Sequence, residues 1–222
     1  MLIVHHLNNS RSQRVLWLLE ELELPYEIKF YQRDADTQLA PPELLKIHPL
    51  GKSPVITDGD KTVAESGAII DYIVSTYGAG RLIPAEGTPE RLAYTYWLHY
   101  AEGSAMTPLL LKLIFSVLPD RSPALIRPLV RAIAKRAQDS FIDPQIKVHT
   151  GFWEAELSRH TWFAGDAFTA ADIQMSFPVE AAASRAGVDK RYPKLMAFLR
   201  TIHARPAYRR ALEKGGPYAF AD

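Results

Sequence analysis

The fold is decided by residues 54–78, PVITDGDKTVAESGAIIDYIVSTYG. The segments 54–57 and 61–64 flank an Asp-Gly-Asp turn at 58–60, which is a strong hairpin signal. Apolar side chains then recur at helical spacing over 68–77, and glycines follow. This stretch therefore predicts two antiparallel strands followed directly by a helix.

The residues before this stretch alternate strand and helix signals. An apolar run at 2–6 predicts a strand, and an apolar stripe within 11–24 predicts a helix. A second strand is expected over 26–31, and two prolines open a short helix over 41–48. Together with the hairpin, the order β-α-β-α-β-β-α predicts a thioredoxin-like sheet.

The strand signals fade after residue 88. Thr88-Pro89-Glu90 is a typical helix start, and the helical pattern runs to Leu118 with a bend expected around Gly103 and Pro108. Further helices are predicted to begin near Ser122, Thr169, Pro193 and Pro206. We therefore expect three parts: an α/β thioredoxin-like domain at 1–82, a linker at 83–87, and an all-α helical domain at 88–222.

The composition excludes several classes of protein. The 222 residues include 26 basic and 25 acidic side chains, so charge gives no argument for nucleic acid or a charged membrane as partner. There is no cysteine, which excludes disulfides, thiolate metal sites and a cysteine nucleophile. The histidines lack metal-ligand spacing, so no metal is predicted. The chain start does not read as a signal peptide, so a cytoplasmic location is expected.

Ser10 is the first candidate for chemistry. Ser10 and Gln13 satisfy the S-x-x-Q pattern of a capping box, so a purely structural role for Ser10 is the more common interpretation. A hydroxyl at a helix N-terminus also lies beside free backbone N–H groups and the positive end of the helix dipole. The same position can therefore hold an anion.

Two further pairs have both a structural and a functional interpretation. Ser53-Pro54 is either an ordinary turn or a cis peptide whose serine backbone could pair with a bound peptide. Ser66 is either a plain helix cap beside a solvated Glu65, or the helix start that binds a carboxylate while Glu65 pairs with an ammonium. The second interpretation would recognise an α-amino acid head group.

A capping motif lies near residue 170. Thr169 and Asp172 form a capping box in which Asp replaces the usual Glu, and Phe168 and Ile173 occupy the positions of a hydrophobic staple. We interpret this motif as helix nucleation.

The order and spacing of these signals resemble those of one family. Ser10 with Arg14, HPLGKSPVI at 48–56, AESGAIIDYI at 64–73 and AGDAFTAADI at 164–173 closely resemble the cytosolic glutathione transferases over nearly the whole chain. The nearest match is the serine-using, theta-like branch of bacteria and fungi. The resemblance implies glutathione as co-substrate, and an enzyme that promotes attack of the glutathione thiolate on a hydrophobic electrophile or a peroxide.

The resemblance also implies roles for individual residues. Ser10 takes the position of the hydroxyl that hydrogen-bonds the glutathione sulfur, although Ser12 and Asn8 lie close enough to leave that assignment open. Ser53 and the cis Pro54 would pair with the cysteinyl unit, and Glu65 and Ser66 would hold the γ-glutamyl group. Lys52 and Gln38 fall where the family contacts the glycyl carboxylate. His5 stands near the place of the tyrosine that other classes use.

Three expectations complete the hypothesis. The electrophile site is expected between the domains, with Tyr100, Met106 and Leu110 as candidates chosen by position and core packing as their alternative. The resemblance implies a homodimer. The competing interpretation is a non-catalytic binding or assembly module of the same fold, against which the intact Glu65-Ser66 and Ser53-Pro54 pairs argue.

Overall fold

The computed structural model describes residues 1–221 and begins with a mixed sheet. The strands are β1 (Leu2–Leu7), β2 (Tyr26–Tyr31), β3 (Val55–Asp58) and β4 (Lys61–Ala64). Their order across the sheet is β2-β1-β3-β4, with β2 parallel to β1 and the other neighbours antiparallel. This arrangement confirms the predicted thioredoxin-like topology.

The predicted hairpin is present with a two-residue loop. Asp58 pairs with Lys61, so that Gly59 and Asp60 form the connection, and Gly59 adopts a φ of 60°. Glycine reaches that left-handed region without the steric penalty of a side chain, which is what such tight connections require.

Two α-helices pack with this sheet: α1 (Ser12–Glu21) and α2 (Ser66–Tyr77). The short helix expected over 41–48 is instead a 3₁₀ turn at Pro42–Lys46, which suits so brief a segment because isolated α-helices need greater length. Gly78 follows α2, as the sequence predicts.

Strand pairing brings three connections to one edge of the sheet. Val55, at the start of β3, pairs with His5 near the end of β1 and with Ala64 at the end of β4. The loop after β1, the Ser53–Pro54 peptide and the start of α2 therefore meet at that edge, because antiparallel neighbours place opposite ends side by side.

The rest of the described chain consists of helices joined by turns and loops. Its α-helices are α3 (Pro89–Tyr100), α4 (Met106–Val117), α5 (Arg127–Ala137), α6 (Asp143–Arg159), α7 (Ala170–Arg185), α8 (Pro193–Ala204) and α9 (Pro206–Gly215). Thr88 caps α3, and Thr169 and Asp172 form the predicted capping box of α7. Both helix starts are therefore confirmed.

Two helix predictions need correction. The expected bend between α3 and α4 is a π-helical turn at Ala101–Ala105, so the chain is widened around Gly103 before Pro108 is reached. The helix predicted from Ser122 begins only at Arg127, because residues 122–126 form turns in which Ile126 N–H donates to the Pro123 carbonyl.

Helix α1 lies at the centre of the molecule. Its Trp17 is fully buried, and burial of such a large apolar side chain contributes about 1.5–3 kcal/mol. At its end, Glu20 accepts a hydrogen bond from Arg210 at 2.8 Å and pairs with Lys214, both on α9. These contacts hold α9 against α1. Within residues 1–221, no helix has the length and apolar character needed to cross a bilayer.

Candidate functional site

A cavity of about 250 Å³ opens at the sheet edge where the three connections meet. Its lining combines polar side chains from the first half of the chain with one acid from the turn after α3. The lining residues are Arg11, His48, Leu50, Lys52, Ser53, Pro54, Ala64, Glu65, Ser66 and Glu102. The site therefore contains five of the predicted residues: Lys52, Ser53, Pro54, Glu65 and Ser66.

The Ser53–Pro54 peptide is cis, as the functional interpretation of that pair predicts. The Ser53 hydroxyl donates to the carbonyl of His5 at 3.1 Å, which holds the serine against β1. Because Pro54 directly precedes β3, the serine lies at the rim of the sheet, beside the cavity.

Ser10 lies just behind this rim. Its Oγ is 3.4 Å from Ser53 Oγ and 2.7 Å from Ser12 Oγ, and it accepts the backbone N–H of Ser12 at 3.2 Å. The residue is 5% exposed and does not itself line the cavity. The reciprocal capping box with Gln13 is not formed, because α1 begins at Ser12 with Arg11 at the cap position, although Ser10 Oγ still accepts an N–H of the first turn.

Glu65 and Ser66 form the start of α2. Glu65 is exposed and takes a φ of 72°, a left-handed conformation that a non-glycine residue rarely adopts. Such backbone strain clusters at ligand-binding sites. The interpretation of Ser66 as a plain cap is also wrong, because Glu65 takes the cap position and makes no side-chain cap bond. The first N–H groups of α2 have no helical acceptor, and Ser66 lines the cavity at this helix start.

A buried arginine connects this helix start to the helical part of the protein. Arg14 is 1% exposed; its Nη2 donates to Ser66 Oγ at 3.1 Å and to Glu102, and its Nη1 donates to the carbonyl of Gln174. Arg11 also donates to Glu102, at 3.1 Å. Burial alone would raise the pKa of Glu102, but the charges of Arg14 and Arg11 outweigh it and lower that pKa. Glu102 is therefore ionised at neutral pH.

The two residues predicted to contact the glycyl carboxylate lie in different places relative to the cavity. Lys52 lines the cavity and is exposed. Gln38 lies outside the lining, in an exposed loop where its side chain donates to the Ala35 carbonyl at 2.9 Å. His48 and Arg11 line the cavity although the sequence did not single them out. His48 belongs to the HPLGKSPVI motif, which was the available signal for it.

The three electrophile candidates are not in one place. Tyr100 is buried in the core, where its hydroxyl accepts from Trp153 Nε1 at 2.9 Å and bonds His149. Met106 is also a core residue, whereas Leu110 is 51% exposed. Tyr100 and Met106 therefore pack in the core, which was the alternative to a role in the electrophile site. His5 likewise packs inside, with its Nδ1 2.9 Å from the Tyr31 hydroxyl.

The cavity can hold a ligand with both charges. Its basic groups are Arg11, Lys52 and His48, and its acids are Glu65 and Glu102. In the part of the chain that the structure describes, no cluster of three or more histidine or acidic side chains is arranged to hold a metal ion. The geometry is that of a site for a small polar molecule with an anionic and a cationic end.

Known proteins with the same sequence pattern share one description. The model for "Glutathione S-transferase, N-terminal domain" matches residues 1–75, and that for "Glutathione S-transferase, C-terminal domain" matches residues 117–206. Glutathione S-transferase 3 of Schizosaccharomyces pombe is 36% identical over 214 residues, which cover 96% of this chain and 88% of that protein.

Solved structures agree with this similarity. A glutathione S-transferase from Actinobacillus pleuropneumoniae superposes with a TM-score of 0.82 at 32% identity, covering 100% of this chain and 96% of that one. A sphingomonad glutathione S-transferase in complex with glutathione superposes with a TM-score of 0.73 at 26% identity, covering 96% of this chain and 98% of that one.

Proposed function

This chain belongs to the glutathione S-transferase family and is a glutathione transferase, and we propose that it works through Ser10, by a hydrogen bond to the thiolate of bound glutathione, as in the serine-using branch. The observation that carries the proposal is the cavity at the sheet edge, where Ser53, Glu65 and Ser66 meet beside Ser10. Glutathione then lies with its cysteinyl unit along Ser53 and its sulfur toward Ser10.

Two observations favour Ser10 over its neighbours as the group that contacts sulfur. The Asn8 side chain is turned toward Arg33, whose backbone N–H donates to its Oδ1 at 2.8 Å. Ser12 is fully buried and bonds His6. Ser10 is the one of the three whose hydroxyl approaches Ser53.

One hydrogen bond at this position is of the right magnitude. A free thiol has a pKa near 8.5, so lowering it by about two units makes the thiol mostly ionised at neutral pH and needs roughly 2.7 kcal/mol. A hydrogen bond to a charged group contributes about 1.5–3 kcal/mol. The nearby N-terminus of α1 adds about 0.3–1 kcal/mol.

The γ-glutamyl group fits the start of α2. Its carboxylate would accept from Ser66 and the free N–H groups of the first turn, while its ammonium would pair with Glu65. Lys52 is available to the glycyl carboxylate, and the exposed Gln38 would need its loop to move toward the cavity.

The proposal extends to the second substrate, to further activities and to the arrangement of the domains and subunits. A small hydrophobic electrophile is the second substrate, and Leu110 is the candidate that such a molecule could contact, because it is exposed. Peroxidase or isomerase activity with glutathione stays a prediction, as does a cytoplasmic location. The functional parts are residues 1–82 and 88–222, joined by a linker at 83–87, and two copies form the homodimer.

The proposal is tested by binding and turnover. We expect calorimetry to detect association of glutathione at millimolar concentration, and a panel of electrophiles and peroxides to reveal conjugation or reduction. Retention on immobilised glutathione separates this hypothesis from a non-catalytic assembly module. Absence of both binding and turnover would overturn it.

A further inference from the structure

A chain of hydrogen-bonding groups runs inward from Ser10 to the end of α9. Ser10 Oγ is 2.7 Å from Ser12 Oγ, and Ser12 Oγ is 2.9 Å from His6 Nδ1. The other ring nitrogen, His6 Nε2, is 3.0 Å from the carbonyl oxygen of Gly215. All four residues are buried. We name these groups the Ser10–His6 relay.

The chemistry of each group fixes the direction of every bond. A carbonyl oxygen only accepts, so Nε2 of His6 carries a hydrogen and donates it to Gly215. Burial lowers the pKa of His6, against a smaller raising effect of the Gly215 carbonyl, so the ring is neutral and its Nδ1 accepts the Ser12 proton. The other contact of the Ser12 hydroxyl, the Leu7 carbonyl at 3.4 Å, also only accepts. Ser10 must therefore donate to Ser12.

This direction matters because the Ser10 proton points away from the sulfur position. We propose that the Ser10–His6 relay takes up the thiol proton of glutathione, with His6 as its final acceptor. Each hydrogen bond between Ser10, Ser12 and His6 then reverses its donor and acceptor when the thiolate forms. The inference rests on the proposed contact between Ser10 and sulfur.

The transfer moves three protons, each across one hydrogen bond. The thiol proton goes to Ser10 Oγ, the former Ser10 proton goes to Ser12 Oγ, and the former Ser12 proton goes to His6 Nδ1. The sulfur keeps its electron pair and becomes a thiolate, and the imidazole becomes an imidazolium. Every hydroxyl then points outward, so that Ser10 donates to the thiolate. After the sulfur forms its new bond, the reverse movement passes one proton to the leaving group or to water.

The Gly215 end of α9 favours a positive charge on His6, and so offsets part of the burial that lowers its pKa. The ring bonds the Ser12 hydroxyl from α1 and the Gly215 carbonyl from α9, and the Phe30 ring from β2 lies nearly perpendicular to it, with 5.7 Å between the ring centroids. Gly215 is the last residue of α9, where carbonyls lack helical partners and the helix dipole favours a cation.

Gly215 also has to be a glycine for this contact. A Cβ there would lie 2.6 Å from Gln13 Oε1 and 2.8 Å from a Leu16 methyl, both on α1. The close approach of α9 to α1 is what brings the Gly215 carbonyl within reach of His6.

The experiment compares thiolate formation with proton release. The ultraviolet absorbance of the thiolate gives the pKa of bound glutathione, and calorimetry in two buffers of different ionisation enthalpy counts the protons released on binding at pH 7. For the wild type we expect clearly less than one proton released per thiolate formed, because the negative charge of the thiolate favours the protonated form of His6. One full proton per thiolate would overturn the proposal.

Three variants separate proton uptake from simple positioning. His6→Asn keeps an oxygen that accepts from Ser12 but has no basic nitrogen, Ser12→Ala interrupts the relay, and Ser12→Thr restores a hydroxyl. We expect the first two to raise the pKa of the bound thiol by about one unit, and so to lower kcat/KM for the electrophile several-fold at neutral pH, while the Kd for glutathione rises only about threefold, as the smaller thiolate fraction alone requires. Ser12→Thr should recover most of the loss.

The outcomes distinguish this inference from the proposed function. If Ser10→Ala raises the thiol pKa while His6→Asn and Ser12→Ala leave it unchanged, the relay is wrong and the role of Ser10 stands. If Ser10→Ala also has no effect, the proposed role of Ser10 fails. Circular dichroism shows which variants are folded, and Ser12→Ala serves as the test where His6→Asn does not fold.

Discussion

Ser10 has a single hydroxyl proton and two serine oxygens within reach, one on Ser12 and one on Ser53. If its hydroxyl also bonds the thiolate, Ser10→Ala removes an interaction worth about 1.5–3 kcal/mol with a charged group. We expect the pKa of bound glutathione to rise by about one to two units and kcat to fall at neutral pH, with little change in Kd. Ultraviolet titration of the bound thiol measures the shift, and Ser10→Thr is the matched control. An unchanged titration curve would argue against Ser10.

Glu65 should act on binding and leave the thiol pKa unchanged. Its exposed carboxylate is proposed to pair with the γ-glutamyl ammonium, so Glu65→Ala is expected to raise the Kd of glutathione about tenfold, which corresponds to about 1.4 kcal/mol. Calorimetry measures the change. Glu27→Ala removes another exposed acid, on β2, and should bind glutathione normally. Equal Kd values for both variants would rule out this role.

The start of α7 depends on one buried carboxylate. Asp172 accepts the backbone N–H of Phe163 at 2.8 Å and that of Thr169 at 2.9 Å, one on each oxygen. In Asp172→Asn one oxygen becomes an NH₂ group, so one buried N–H loses its acceptor, at a cost of about 1–3 kcal/mol. We expect a clear fall in the melting temperature. Asp60→Asn, in the exposed hairpin loop, should melt with the wild type; similar melting of both variants would contradict the argument.

At the level of helices and strands, local sequence signals predicted most of the fold. The strand at 26–31, the hairpin and the capping box of α7 follow from patterns within a few residues, and the structure agrees with them. The start of α5 was misplaced because Ser122-Pro123 also suits a series of turns. The local pattern alone does not decide between a helix start and a series of turns at this position.

The site was predictable only in part, for the same reason. The motifs at Ser53 and Glu65 were visible in the sequence, and strand pairing brings them together. Glu102 was missed, since it lies 88 residues from Arg14 and is found only through the folded contact. The function of His6 in the relay likewise depends on Gly215, which is 209 residues away.

The whole molecule exposes an apolar surface on its helical half. Helix α4 carries exposed Leu110, Ile114 and Val117 at i, i+4 and i+7, and α5 carries exposed Leu129 and Ile133. Clusters of this kind mark association surfaces. If the homodimer uses this face, Ile114→Glu should shift the protein toward monomer in analytical ultracentrifugation. Leu92→Glu, on an exposed position of α3, should leave the dimer intact; a monomeric wild type would refute the assignment.

The bonds of Arg14 have a consequence for attempts to divide the protein. The guanidinium that contacts Ser66 also contacts Glu102 and the carbonyl of Gln174, both beyond residue 88. A fragment that stops at the linker would keep every residue of the glutathione motifs. It would, however, lack Glu102, so the Arg14 cation would have no counter-ion. Fusion proteins or fragments that contain only the first 82 residues should therefore have the residues of the tripeptide pocket but bind glutathione more weakly than the full chain.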